Sequence, residues 1–436
     1  MRIPIHRLFT RSAWLKAHLY LALSAGFFFV LIGLSGSLSI YRAEIDTFLN
    51  PELSIENPQG AYQTLDKIFA AIQLAHPNKT GAWTLEMPLS SNGMITAWFD
   101  KPSETFFEFY APLMVSVNPY TAEVVSSRYW GSTFTTWVLN LHTQLGMDEF
   151  GWNAVGVLGI LLCISCLSGL YLWLPSFKTI KEAFRFRPHN GMMLLAFDVH
   201  RWLGLLSTWT LLILASTGFL LSYPSILETF TGSSGMEHGQ TGRTITSTAI
   251  PNNHPTGLSA ATFVAQGPFP KAELRRITTP VGDMGVYRIN LRQKSEVNHR
   301  HPYTTVWVDR WSGQIKEIRN PSQFTQGEVF ASWIWPLHTG EAVGAGGRLL
   351  WFFSGISLFV LYVSGMLRYL CKRGLVRDRP VNYKNIKQLG YQIKASGLKA
   401  GTTFYVNAVR LLKKLLPHIR QLYVKSLNFI NQQVKK

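Results

Sequence analysis

Charged residues are scarce in this chain. Asp, Glu, Lys and Arg make up 15% of its 436 residues, while hydrophobic residues make up 47%. A composition this apolar excludes an ordinary soluble domain, although it is too charged for a chain that lies wholly within a membrane. Four segments contain no charged residue at all: 19–41, 152–174, 202–223 and 349–367. Because about 20 apolar residues suffice to cross a bilayer, the sequence predicts four membrane-spanning helices.

Cysteine is also scarce, with three residues in total. The two long segments between predicted spans, 42–151 and 224–348, contain none, so disulfide bonds cannot hold them together. Cys163 and Cys166 form a Cys-x-x-Cys motif inside a predicted span, where they lack the exposed helix N-terminus that activates a thioredoxin-type pair. We interpret them as small residues that pack between helices.

A flavin- or nicotinamide-binding module is missing as well. The glycine-rich stretch 344–347 enters a predicted spanning helix and follows no strand, so it is not a dinucleotide fingerprint. Any redox chemistry would therefore need a reductant from outside the chain: another protein, a quinol or a soluble reductant.

Acidic residues number 24 against 42 Lys and Arg, which gives a net charge of +18. The excess lies in residues 1–16, 175–199 and 371–436, which together hold 23 Lys and Arg and three acids. Because Lys and Arg mark the cytoplasmic side, both termini and the short loop are predicted to be cytoplasmic and the long loops periplasmic, in a bacterial inner membrane. This pattern accounts for the charge without a nucleic-acid partner, and we predict none.

The two long loops are predicted to be small α+β domains. Residues 64–75 have helical apolar spacing and short alternating strands follow them, while residues 285–291 and 304–309 alternate as strands in the second loop. Each half of the chain then runs helix, loop domain, histidine, helix, which indicates an internal duplication. The predicted fold class is membrane α-helical, with a four-helix transmembrane bundle and two periplasmic α+β domains.

The predicted boundaries follow from these segments. They are a basic cytoplasmic start at 1–16, a first spanning helix at 17–41 that is retained as an anchor, a first domain at 42–141, a second spanning helix at 142–174, a cytoplasmic loop at 175–199, a third spanning helix at 200–223, a second domain at 224–337, a fourth spanning helix at 338–370, and a basic amphipathic tail at 371–436. The tail is predicted to contact anionic lipid headgroups, with docking of an electron donor as the alternative.

Four histidines accompany the predicted spans in two matched pairs. His18 and His200 each precede a Ser/Thr-Gly pair by 17 and 18 residues, and His142 and His338 each precede a Ser-Gly pair by 26 and 27 residues. Those four pairs are Ser35-Gly36, Thr217-Gly218, Ser168-Gly169 and Ser364-Gly365, respectively. His18 and His200 both begin spans at the cytoplasmic border, and His142 and His338 both precede spans that begin at the periplasmic border. Since a bilayer separates the borders, we expect His18 to face His200 and His142 to face His338.

Histidine pairs of this kind favour haem as the cofactor. A lone histidine at a membrane border is usually an interfacial anchor, but four in matched register favour ligation. Zinc or non-haem iron would need additional Cys, Asp or Glu ligands, whereas haem needs two axial imidazoles and an apolar slot between helices. We predict two haem b groups, one held by His18 and His200 and the other by His142 and His338. With both axial positions filled, such iron suits electron transfer.

The remaining histidines have no counterpart at matched spacing, and we interpret them as surface residues. His299 and His301 flank Arg300 and could bind a metal or an acidic ligand, although a surface role is the simpler interpretation. Four arginines at helix ends are candidates for pairing with haem propionates: Arg42, Arg201, Arg348 and Arg368.

Several motifs together carry a family resemblance. The entry Asp-Val-His-Arg-Trp-Leu-Gly at 198–204, the exit Pro-Leu-His-Thr-Gly at 336–340, the four spans and the two loop domains together resemble the PepSY-associated transmembrane family. Its members include iron-regulated inner-membrane proteins and ferric-siderophore reductases. The resemblance implies an oxidoreductase that carries electrons through two bis-histidine haems, from the cytoplasmic side or the quinol pool to a periplasmic ferric siderophore, and reduces Fe(III) to Fe(II).

Two other functions stay open at this point. The chain could be a regulatory protein whose external domains bind a protease or peptide without any cofactor, or a transporter that moves a siderophore or metal along the repeat interface. The absence of carboxylates in the spans argues against ion-coupled transport, and the matched histidines argue against a purely regulatory role.

Overall fold

A computed structural model describes residues 10–174, 184–185, 187, 191–233, 244–250 and 254–378. The predicted amphipathic tail beyond residue 378 and most of the predicted loop 175–199 lie outside the described residues. The described residues 187, 191–195, 377 and 378 belong to a second small unit, in which Asp378 accepts a hydrogen bond from the Met193 amide at 3.1 Å.

Helices make up most of the described chain. In chain order they are α1 (Arg11–Ser24), α2 (Gly26–Ile40), α3 (Arg42–Leu49), α4 (Leu65–Ala75), α5 (Phe134–Gln144), α6 (Asp148–Trp173), α7 (Met192–Ser222), α8 (Pro224–Thr231), α9 (Leu258–Gln266), α10 (Gln326–Thr339) and α11 (Gly344–Lys372).

Three of these helices, α6, α7 and α11, are long and apolar enough to cross a membrane. The pair α1 and α2 meets the same test as a fourth segment, but it bends by 61° at the break between them. Residues from α2, α6, α7 and α11 share one buried apolar cluster that includes Phe29, Cys166, Leu211 and Leu358. The chain is therefore a multi-pass membrane protein, while a four-helix bundle and an internal duplication stay predictions.

Two predicted spanning helices are each interrupted near their histidine. Between α5 and α6 the backbone is left-handed at Leu145, with φ of 51°, and at Gly146, with φ of 66°. Between α10 and α11, Gly340 and Gly344 have φ of 79° and 61°. Such values end a helix and favour glycine. His142 and His338 therefore lie on short helices of their own rather than on the spans.

The strands of both long loops form one antiparallel sheet of eight strands. They are β1 (Thr84–Glu86), β2 (Ile95–Phe99), β3 (Leu113–Val117), β4 (Val124–Tyr129), β5 (Glu273–Thr278), β6 (Val286–Arg292), β7 (Thr304–Asp309) and β8 (Ile315–Arg319). Their order is β4-β3-β2-β1-β5-β6-β7-β8. The two loops meet where β1 pairs with β5, with Leu85 opposite Ile277, so the two predicted domains share a continuous sheet.

The two faces of this sheet differ in character. Helices α4 and α9 cover one face, and their Ile68, Ile72 and Ala261 pack with fully buried strand residues such as Leu85 and Ile289. Burial alternates along β2 and β6, as expected for an antiparallel sheet that is covered on one face.

The opposite face carries polar side chains and points toward the ends of the spanning helices. Its Arg128, on β4, forms a bidentate ion pair with Asp46 of α3, at 3.0 and 2.8 Å. Helix α3 begins two residues after α2 ends, so this ion pair fixes the orientation of the sheet above the first apolar segment.

Candidate cofactor site

Four histidine side chains from four different helices come together in two pairs. His18 of α1 faces His200 of α7, with ring centroids 6.2 Å apart and planes at 86°. His142 of α5 faces His338 of α10, with centroids 6.1 Å apart and planes at 34°. We call the second the sheet-side pair, because α5 and α10 follow the last strand of each loop, and the first the far-side pair. The pairings are those that the sequence predicts; a ligand role for them stays a prediction.

The hydrogen bonds of the four rings define their tautomers. Nδ1 of His18, His142 and His200 lies 3.1, 2.9 and 2.9 Å from the main-chain carbonyl oxygens of Ser165, Ile32 and Leu361, respectively. A carbonyl oxygen only accepts hydrogen bonds, so each Nδ1 donates. In a neutral imidazole this leaves the Nε2 lone pair available to a metal.

His338 reaches the same tautomer by another route. Its Nδ1 lies 2.9 Å from Thr217 Oγ1, and that hydroxyl donates its own proton to the Ile213 carbonyl at 2.6 Å. The hydroxyl can therefore only accept from His338. All four rings thus have Nδ1 as the donor and Nε2 as the free lone pair.

Each ring packs against a glycine of a neighbouring helix. A Cβ built at Gly36 would lie 2.7 Å from His142 Cε1, and one at Gly169, Gly218 or Gly365 would lie 3.1 to 3.2 Å from Cε1 of His18, His338 or His200. A helical side chain covers the turn that precedes it, so a glycine uncovers the carbonyl four residues earlier. Ile32, Ser165 and Leu361, the acceptors above, each precede their glycine by four residues.

The matched spacings in the sequence have their explanation here. Each Ser/Thr-Gly pair contains the glycine against which one histidine ring packs, and we call that glycine the seat of the histidine. A histidine and its seat come from the two different apolar segments of the same half of the chain. His18 packs on Gly169 and His142 on Gly36, while His200 packs on Gly365 and His338 on Gly218. The sequence pattern identifies the seats, but spacing along one helix does not reveal which histidine each seat receives.

The distance within each pair suits one six-coordinate metal between two imidazoles. A metal–nitrogen bond of about 2.0 Å and about 1.1 Å from nitrogen to ring centroid, taken on both sides, give about 6.2 Å. The observed centroid distances are 6.2 and 6.1 Å. Among the described residues, no three His, Cys, Asp or Glu side chains are grouped so as to hold a metal ion. Two protein ligands fit haem iron, because its porphyrin supplies the other four nitrogens.

The two pairs lie far apart along the spanning helices. Helix α7 is continuous from Met192 to Ser222, and it carries His200 near one end and Gly218, the seat of His338, near the other. Eighteen residues at a rise of 1.5 Å separate them by about 27 Å, close to the thickness of the hydrocarbon core. The pairs therefore occupy opposite ends of the apolar region.

The four arginines predicted as propionate partners lie near the helix ends. Arg348 donates to the Ile40 carbonyl at 2.7 Å and to Glu44 at 2.6 Å, so its hydrogen bonds are directed to the protein. Arg42 lies over the Trp130 ring at 5.1 Å and Arg368 over the Phe197 ring at 3.9 Å.

Arg201 pairs with Asp198 at 3.2 Å. Asp198 is fully buried two residues before His200, so this ion pair lies next to a predicted ligand in the chain. The sequence analysis includes Asp198 in the motif at 198–204 but gives it no role of its own.

The other candidate residues belong to neither histidine pair. The His299 carbonyl accepts from Arg275 Nε at 3.2 Å, and the His301 ring packs edge-on against Trp335 at 5.2 Å. Cys166 is buried in the apolar cluster between the spanning helices, and both it and Cys163 are free thiols.

The architecture defines a class of protein: a multi-pass membrane protein with an antiparallel α+β region attached to apolar helices. The chain belongs to the PepSY-associated TM region family, whose sequence profile matches residues 15–372. A comparison with curated proteins gave no match.

Proposed function

We propose that this protein transfers electrons across a bacterial inner membrane through two haem b groups and reduces a ferric siderophore on the periplasmic side. His18 and His200 would ligate one haem iron, and His142 and His338 the other. The single observation that carries the proposal is the geometry of the pairs, since in each of them two imidazoles from different helices face each other at the distance that one metal ion requires.

The surroundings of the rings support the same function. Every ring is held by an Nδ1 hydrogen bond and a glycine contact, so it is positioned before any ligand binds. When bound, haem supplies a one-electron Fe(III)/Fe(II) couple, and two histidine ligands favour electron transfer over oxygen binding because no axial position is open.

The direction of transfer follows from the placement of charge. The basic segments of the sequence favour a cytoplasmic location for both termini, and in that orientation the far-side pair would receive electrons from a cytoplasmic reductase or from quinol. The sheet-side pair, beneath the antiparallel sheet, would pass them to the ferric siderophore. Iron reduced to Fe(II) is held less tightly by such chelators, and its release would serve iron uptake.

A reduced-minus-oxidised absorption spectrum of the purified protein, produced with ample haem, tests this proposal. We expect the spectrum of six-coordinate haem b and two haems per chain. His338→Ala should reduce the stoichiometry to one and stop reduction of ferric siderophore, because no ligand within the sheet-side pair replaces the lost imidazole. His76→Ala is the matched control, since His76 lies in the sheet region and bonds to Ser127 Oγ.

Two results would contradict the proposal. A colourless protein would favour the regulatory or transport function, and a His338→Ala variant with two haems and normal iron reduction would remove His338 from the site.

A further inference from the structure

The polar face of the sheet carries a cluster of arginines at its centre, where the two loops join. Glu86 of β1 stands opposite Arg276 of β5, and the two form an ion pair at 2.9 Å. One step along the sheet, Thr278 of β5 stands opposite Arg288 of β6. Strand alternation therefore places both arginines on the face that α4 and α9 leave uncovered.

Aromatic side chains form the neighbouring wall. Trp130 lies 5.9 Å from Trp98 and 5.3 Å from Tyr110 between ring centroids. The guanidinium of Arg42, which follows the first apolar segment, lies over Trp130. The wall thus connects the polar sheet face to the end of α2.

Solvent reaches part of this region. Tyr110 is 49% exposed, and yet burial by the surrounding protein raises the pKa of its phenol, with the nearby Asp100 adding to the shift. Burial likewise raises the pKa of Asp100, whose side chain is exposed. The region thus combines side chains that solvent reaches with surrounding protein that disfavours charge, and we call it the recess.

The recess has more positive than negative charge. Arg42, Arg276 and Arg288 face Glu86 and Asp100, and Arg276 is neutralised by Glu86. Arg288 donates to Thr278 Oγ1 at 3.2 Å. Burial, followed by repulsion from Arg276, lowers the pKa of Arg288 to about 10. Because the Arg288 guanidinium is desolvated and repelled by Arg276, an anion that binds beside it would stabilise its charge.

Hydrogen-bond donors in the recess also lack acceptors. Within the described residues, Nε of Arg276, Nε of Arg288 and Nε1 of Trp98 are buried donors without a partner. Buried donors are rarely left unpaired in a native protein, so three of them on one face of the sheet indicate that a ligand or water accepts their hydrogen bonds. Arginine forks are suited to carboxylates.

The recess adjoins the sheet-side pair. Arg300, whose charge acts on both Arg42 and Glu86, lies 3.6 Å from Glu341, and Glu341 follows His338 by three residues. On the other side, Arg42 follows Gly36, the seat of His142, by six residues. The recess is therefore connected to the sheet-side pair through α10 and the first apolar segment.

We propose that this recess binds the electron acceptor as an anionic ferric chelate with carboxylate groups, in preference to a neutral or cationic hydroxamate chelate. The inference rests on the proposed reductase function. The step is a one-electron reduction: Fe(III) in the chelate becomes Fe(II), the electron comes from the donor through the two histidine pairs, and no proton or group is transferred.

Binding is tested first without any redox step, with gallium(III) citrate as the inert analogue of ferric citrate and tryptophan fluorescence of the full chain as the signal. The wild type should bind gallium citrate more tightly than a neutral gallium trihydroxamate. Arg288→Gln should weaken citrate binding about tenfold or more, which is the loss expected for a charge-assisted hydrogen bond, and leave the trihydroxamate unaffected. The exposed Lys271→Gln removes one positive charge elsewhere and should change neither.

Electron transfer is tested second, by mixing the reduced protein with ferric citrate or a ferric trihydroxamate and following haem reoxidation. Arg288→Gln should raise the apparent KM for ferric citrate and leave the maximal rate unchanged. Equal affinity of the wild type for both chelates would overturn the inference. An Arg288→Gln variant that shifts the haem spectrum or potential without changing KM would also overturn it, and would assign Arg288 to the haem propionates. If neither chelate reoxidises the haem while gallium citrate still binds through Arg288, the reductase function fails and the carboxylate site stands.

Discussion

Gly36→Ala tests whether the contact with Gly36 positions the His142 ring, and it does so by adding a single methyl group. The added Cβ would lie 2.7 Å from Cε1 and 2.9 Å from Nδ1 of His142, whereas ordinary contact begins at 3.4 Å. The ring would therefore have to retreat by about 0.7 Å, or α5 would have to move away from α2. Metal–ligand distances tolerate about 0.2 Å, so the displaced ring could no longer bind at full strength.

The expected result is loss of the sheet-side haem alone. Alanine forms helices better than glycine by about 1 kcal/mol, so destabilisation of α2 does not account for a loss. Haem stoichiometry should fall from two to one per chain, measured by the pyridine haemochrome assay, while the far-side haem keeps its spectrum. Gly218→Ala, with a Cβ 3.1 Å from His338 Cε1, should act in the same direction but less strongly.

Gly346→Ala is the matched control, because a Cβ at Gly346 meets nothing within 4 Å on a spanning helix. It should retain both haems. Two haems with unaltered spectra in Gly36→Ala would refute the argument that this contact positions His142, and loss of both haems would show a general folding defect instead.

Two further predictions concern the elements that support the site. Thr325 caps α10 through a reciprocal capping box with Glu328, so Thr325→Ala should destabilise this helix by about 1 kcal/mol and lower the temperature at which the sheet-side haem is lost, with the far-side haem as internal reference. Asp309 is desolvated, but main-chain donors at Ser312, Trp311 and Thr248 outweigh this and lower its pKa below 3.8. Because the folded pKa is depressed, its stabilisation is present above pH 3.8 and is lost as the pH falls below that value. Asp309→Asn should lower the unfolding temperature at pH 7 and lessen its further fall below pH 3.8; an unchanged acid dependence would contradict this assignment.

The sequence predicts the spans well, because hydrophobic length is a property of each segment alone. Residues 152–174 coincide closely with α6, and residues 202–222 lie within α7, which begins ten residues earlier. The bend between α1 and α2 was not predictable in this way, since it occurs within one uninterrupted apolar run. Gly26 lies at that bend, and a Cβ there would meet the Tyr362 ring at 2.6 Å, so the bend brings the chain against a residue more than 300 positions away.

The external region shows the same limit. Alternation in the sequence predicts individual strands, and residues 304–309 coincide with β7. The edge-to-edge pairing of β1 with β5 depends on main-chain hydrogen bonds between two loops, which side-chain pattern does not specify. The arginine recess was missed for this reason: Arg276 and Arg288 have no sequence motif, and they come together only once the two loops share a sheet.

The histidine seats explain why the spacing in the sequence repeats. On α7, His200 and Gly218 must be separated by the thickness of the apolar layer, because one contributes to the far-side pair and the other receives His338 at the sheet side. Eighteen residues make five turns of 3.6 residues, so both also point to the same side of the helix. The same spacing from His18 to Gly36 in the first apolar segment meets the same two requirements despite the bend at Ala25. Eighteen residues therefore set both the distance between the two pairs across the apolar layer and the side of the helix on which the histidine and the glycine lie. Four histidines that were independent interfacial anchors would not require this spacing.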